Sequence, residues 1–129
     1  MIPVQDLCIG NWVYDGKGTQ FPMFIRAIGE DYVYLDFEGN EGDLWESKPE
    51  DLNGIPLNEE LLKKCGLRSA GSMWEHPDYS FEVDYDFEKD VYIPSYNWVE
   101  YHIGHSIKFL HELQNLFWNI TKQQLNIKL

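Results

Sequence analysis

Basic residues are scarce in this 129-residue chain: ten Lys and Arg stand against 22 Asp and Glu, for a net charge of −12 and a pI near 4.5. Gripping nucleic acid through its phosphates needs clustered Lys and Arg, so direct nucleic-acid binding is excluded, and so is an anionic membrane surface. Cysteine is scarce as well. Cys8 and Cys65 match no metal or redox spacing, which predicts two reduced, buried thiols. No run approaches the ~20 apolar residues of a membrane span, and the first residues lack the basic start and apolar stretch of a signal peptide. The expectation is a cytoplasmic protein. Gly-rich phosphate loops, nucleophile elbows, a Cys with a nearby His, internal repeats and low-complexity linkers are also missing. That favours a non-enzymatic chain without a cofactor.

Aromatic residues make up 16% and hydrophobic residues 43% of the chain, enough apolar area to fold. The length suits one domain, 1–129, with room for two lobes, a β-meander over 1–52 and a mixed region over 53–129. The acidity is local. Between Glu30 and Asp90 lie 18 acidic and 5 basic residues, whereas the rest of the chain holds 4 and 5.

β-forming runs at 9–15, 20–28, 32–37 and around Leu44–Glu46, separated by turn residues, predict a meander that curls into a small barrel-like sheet. A short helix over 58–65 has both ends specified. Asn58 caps it, Glu59 and Glu60 sit in the first turn, Lys63 and Lys64 in the last, and Gly66 stops it. Asn53-Gly54 and Ser69–Ser72 read as flexible joints. Residues 79–88 alternate throughout, with Phe81, Val83, Tyr85 and Phe87 on an inward face and Glu82, Asp84, Asp86 and Glu88 on a solvated one. Further strands are expected at 91–93, ending at Pro94, and at 98–103. Apolar residues at helical spacing from Ser106 to Asn119 predict an amphipathic helix across a sheet, and Leu125–Leu129 alternates as a final strand. The fold class is therefore α+β.

Three blocks carry a family resemblance: Asp6–Tyr14 (DLCIGNWVY), Ile55–Leu67 (IPLNEELLKKCGL), and His111–Thr121 (HELQNLFWNIT) followed by Leu125–Leu129 (LNIKL). Together they resemble a family of small uncharacterised proteins common in gut Bacteroides genomes and their phages or mobile elements. The resemblance covers roughly a third of the chain. It implies a bacterial, mobile-element origin and a cytoplasmic setting, and brings no activity, ligand or catalytic residue with it. This chain departs from the family pattern after Thr121, where the family more often has Gly, and in its more acidic central strand.

Candidate site residues follow from chemistry. Glu100, His102, His105 and His111 are the residues that could converge on a small-molecule or hydrolytic site, but a zinc site needs three or four ligands at fixed geometry, and His102 and His105 share no helical face. No metal is expected. His111 falls at the edge of the helix's apolar stripe, a place for a packed ring with satisfied nitrogens. The run from Asp84 to Asp90 mimics a calcium loop without its sixth-position Gly, and carboxylates on one strand face lie ~7 Å apart. Trp74, Tyr79, Tyr92 and Tyr96 fall in turns or strand ends, where exposed aromatics mark protein interfaces. A protein partner is the first functional expectation. The alternative from the acidic row Glu82, Asp84, Asp86 and Glu88 is a nucleic-acid mimic that fills a basic groove.

Overall fold

The computed structural model describes residues 2–16, 20–96 and 106–129. Among these residues the fold is α+β, with nine strands in two antiparallel sheets. Two compact units divide the chain: Met1–Pro56 with Phe109–His111, and Leu57–Lys108 with Glu112–Leu129.

In the first unit, β1 (Trp12–Tyr14), β2 (Pro22–Ile28), β3 (Val33–Asp36), β4 (Trp45–Ser47) and β5 (Asn53–Gly54) form a sheet in the order β4-β3-β2-β1-β5. Alternation places Val13, Met23, Ile25, Val33 and Leu35 on one face, and Ile2, Leu7 and Leu52 complete the core there. The meander stays open rather than curling up: among the described residues β4 and β5 are not paired, and no closed barrel forms. A register shift at Arg26, between Ile25 and Ala27, carries its guanidinium to Asp36 at 2.8 Å. That hydrogen bond, seconded by Asn40, holds the Asp36 carboxyl below its usual range. Asn53-Gly54 is an edge strand on β1 rather than a joint. A Cβ on Gly54 would stand 2.6 Å from the Phe109 ring, so glycine lets that ring approach the backbone.

In the second unit, α1 (Glu59–Lys64) has the ends its sequence specifies. Asn58 Oδ1 accepts from the Leu61 amide at 2.8 Å, and the Gly66 and Leu67 amides return to the Lys63 and Leu62 carbonyls. A four-stranded sheet follows in the order β6 (Arg68–Ala70), β7 (Met73–Glu75), β8 (Phe81–Asp86), β9 (Val91–Tyr96). The supposed joint at Ser69–Ser72 is the tip of the β6–β7 hairpin. Its two-residue loop starts at Gly71, with φ +68, where a tight hairpin places glycine.

Pro94 does not stop β9, and the reason is geometric. The Tyr92 amide and carbonyl both bond Ile107, on the side away from β8. Residues two apart in a strand direct their amides to the same side, so the nitrogen of Pro94 also faces away from β8 and the ladder loses no bond. The Ile107 pairing also keeps that residue extended, so α2 runs from Leu110 to Thr121 instead of starting at Ser106.

Phe117 lays the helix on the sheet, its ring edge-on to Phe81 at 5.5 Å and to Tyr79 at 5.4 Å. The expected last strand is not formed. Only Leu125 of that alternation is buried, and the Lys128 amide donates to the Lys64 carbonyl at the end of α1. The strand expected at 98–103 lies outside the described residues. Cys65 is buried, which pushes its thiol up to about 12, whereas Cys8 is exposed, contrary to the expectation of two buried thiols.

Candidate binding site

Register decides which side chains share a face in the second sheet. Trp74 pairs with Val83, Val83 with Pro94, and Tyr85 with Tyr92, so all five point to one side. Glu75 pairs with Glu82, and Asp84 and Asp86 follow on the other side with Arg68.

The acidic row is not the evenly solvated stripe that strict alternation suggests. Glu82 is 6% exposed, and burial, reinforced by the Glu75 and Asp84 carboxylates, raises its pKa. Arg68 is committed to Glu75 at 3.0 Å. Asp86 is occupied too, its Oδ1 accepting from the Glu88 amide at 3.0 Å and the Lys89 amide at 3.3 Å. Glu88 lies beyond the strand, in the turn. Of the four carboxylates, only Asp84 and Glu88 are neither buried nor hydrogen-bonded within the turn.

A raised carboxyl pKa means that the folded state holds its proton more tightly than the unfolded one. Ionised Glu82 therefore costs stability, and the cost grows as pH rises through the unfolded and then the folded pKa. Glu82→Gln is expected to raise the urea midpoint at pH 7 and to leave it unchanged near pH 3.5, where the native carboxyl is protonated. A lower midpoint at pH 7 would show that the carboxylate is stabilised instead.

The same turn explains Phe87. Alternation assigns it to the buried face, yet its ring is 86% exposed. By accepting two turn amides, Asp86 ends β8 and takes Phe87 out of the strand's alternation. What remains is a cleft of about 650 Å³ between α1, the β6–β7 hairpin and the β8–β9 turn. Trp74, Tyr85 and Tyr92 line it with Phe87. The Tyr85 ring lies 4.9 Å from Phe87 at 78° and 5.1 Å from Tyr92 at 46°, so the rings form walls instead of a stack. Glu59, Lys63 and Asp90 add charges to the lining. The Tyr85 hydroxyl donates to Asp90 Oδ1 at 2.5 Å, the first cause of its raised pKa. Tyr92 is raised chiefly by burial and then by the Glu59 and Asp90 carboxylates.

Of the aromatics singled out from sequence as exposed, Trp74 and Tyr92 line this cleft but are buried, because their strand register turns them toward the packed face of the sheet. The other two lie elsewhere: Tyr79 packs on His76 and Phe117, and Tyr96 is paired with Phe81. Tyr85, Phe87, Glu59 and Asp90 were not foreseen as site residues. The signal that could have found the first two is the Asp86–Asp90 turn, which must interrupt any strand before it.

His111 is buried and its ring stacks on Phe109 at 5.9 Å, inside the first unit. Glu100, His102 and His105 lie outside the described residues. Among the described residues, no three His, Cys, Asp or Glu side chains are grouped to hold a metal ion, and no helix is long and apolar enough to cross a membrane.

The fold and site define an α+β protein with an aromatic cleft on its second sheet. Compared with protein-family models, curated proteins and solved structures, the chain matches none.

Proposed function

We propose that this chain is a non-enzymatic accessory protein that binds another protein, and that the cleft beside Phe87 receives a side chain of the partner. One observation carries the reading: a phenylalanine ring is left 86% exposed at the lip of a cleft lined by three more aromatic residues. Exposed aromatic surface of this kind is costly in water and is where binding energy concentrates when a partner covers it. A cytoplasmic setting, in a chain of mobile-element origin, fits the buried free thiol of Cys65 and the resemblance noted above.

The test separates binding from folding. Phe87→Ala is expected to change stability by no more than about 0.5 kcal/mol, because the ring packs on little besides Tyr85. Random peptides displayed on phage and selected on the native chain should lose binding to Phe87→Ala, and should shift the Trp74 indole resonance. Selected peptides that bind both proteins equally, or that shift only residues remote from the cleft, would refute the assignment.

A further inference from the structure

The lining of the cleft also specifies what kind of side chain it receives, an inference that rests on the protein-binding reading. We infer that the cleft is an aromatic cage for a cationic side chain, a lysine or arginine in a basic segment of the partner.

Ring geometry comes first. A slot for an apolar plug needs close apolar walls, whereas a cation is held by ring faces turned toward it from several sides. The exposed Phe87 ring and the half-buried Tyr85 ring meet at 78° and form a corner open to solvent, with the buried rings of Trp74 and Tyr92 in the lining behind them.

Charge comes second. Glu59 enters from the first turn of α1 and Asp90 from the β8–β9 turn, so two carboxylates from separate elements line one aromatic cleft. Asp90 is held in place twice, by the Tyr85 hydroxyl on its side chain and by its own amide on the Asp86 carbonyl at 2.8 Å. An apolar guest would leave both carboxylates facing it without gain. A guest ammonium or guanidinium instead adds ion pairing to the ring contacts. Among the described residues Lys63 is the one basic residue of the lining, on the helix that supplies Glu59.

The charge of the surrounding sequence points the same way. Residues 57–92, which belong to the second unit and supply the cleft's lining, contain 9 acidic and 4 basic residues, so this segment attracts basic partners and repels acidic ones.

Lysine and norleucine have side chains of similar length and differ in charge, which makes them the discriminating pair. Acetylated, amidated peptides Gly-Ser-X-Ser-Gly, with X lysine, arginine, norleucine or glutamate, are titrated into the full chain while the Trp74 indole resonance is followed. The lysine and arginine peptides are expected to bind about fivefold or more tighter than norleucine, the gain ascribed to a cation over aromatic faces. The glutamate peptide should not bind. Asp90→Asn keeps a residue that tolerates the positive φ of that position and should remove most of the lysine preference while sparing norleucine. Phe87→Ala should weaken every peptide. Norleucine binding as tightly as lysine overturns the cage but leaves the protein-binding reading standing. Absence of any binding at the cleft also overturns the cage, and the phage selection then decides the broader reading independently.

Discussion

Replacing Phe117 with alanine is expected to remove about 4 kcal/mol from the stability of the second unit, the range for deleting a buried phenylalanine ring. The ring is 1% exposed and touches three others: His76 at 5.1 Å, Tyr79 at 5.4 Å and Phe81 at 5.5 Å. Two of those contacts, at 85° and 90°, have the edge-to-face geometry that adds to simple burial. A loss of that size is a large part of what a small domain possesses, ~5–15 kcal/mol. Near-UV circular dichroism should therefore weaken, and the urea transition should move to markedly lower concentration. The neighbouring Trp118, 47% exposed, is the control, since Trp118→Ala should shift the transition by less than about 0.5 kcal/mol. Equal effects from the two substitutions would mean that α2 does not hold the sheet through Phe117.

The burial of Phe117 was legible in the sequence, because helical spacing gathers residues three and four apart onto one apolar face. So was α1, whose signals are local: Asn58 reaches an amide three residues on, and Gly66 acts within one turn. Legibility failed where a distant partner decides. Whether Pro94 ends a strand depends on which way its nitrogen faces, and that is set by the bonds between Tyr92 and Ile107. Ile107 belongs to a helical pattern by spacing, yet the same bonds draw it into an extended conformation.

The site was half legible for a related reason. The sequence puts Trp74 and Tyr92 among exposed aromatics in turns or at strand ends, yet both lie within strands and are buried, so they reach the cleft only as part of its lining. Glu59 and Asp90 are thirty-one residues apart and meet only because α1 packs beside the β8–β9 turn. Glu82 failed in the opposite sense: alternation assigns it to the solvated face, but neighbouring groups cover it to 6% exposure, a fact no period of two contains.

Gly16→Ala is expected to be the most damaging substitution of a single methyl group in the first unit, at about 2–4 kcal/mol. Two costs add. Gly16 has φ +75, which an L side chain adopts at about 1 kcal/mol or more. A Cβ there would also lie 1.8 Å from the carbonyl oxygen of Asp51 and 3.0 Å from Asn53 Nδ2, and the first of these is backbone that cannot rotate away. Relief requires moving the turn at Pro49–Asp51, and with it β5, which has only two residues on β1. Gly39→Ala isolates the conformational part, since Gly39 has φ +85 with nothing within 4 Å of the added carbon. It should cost about 1 kcal/mol. The local consequence is measurable by hydrogen exchange: amides of β1 and β5 should lose protection in Gly16→Ala and keep it in Gly39→Ala. Equal urea midpoints for the two variants would show that the Asp51 carbonyl yields freely, and that β5 is held by something other than its contact with this turn.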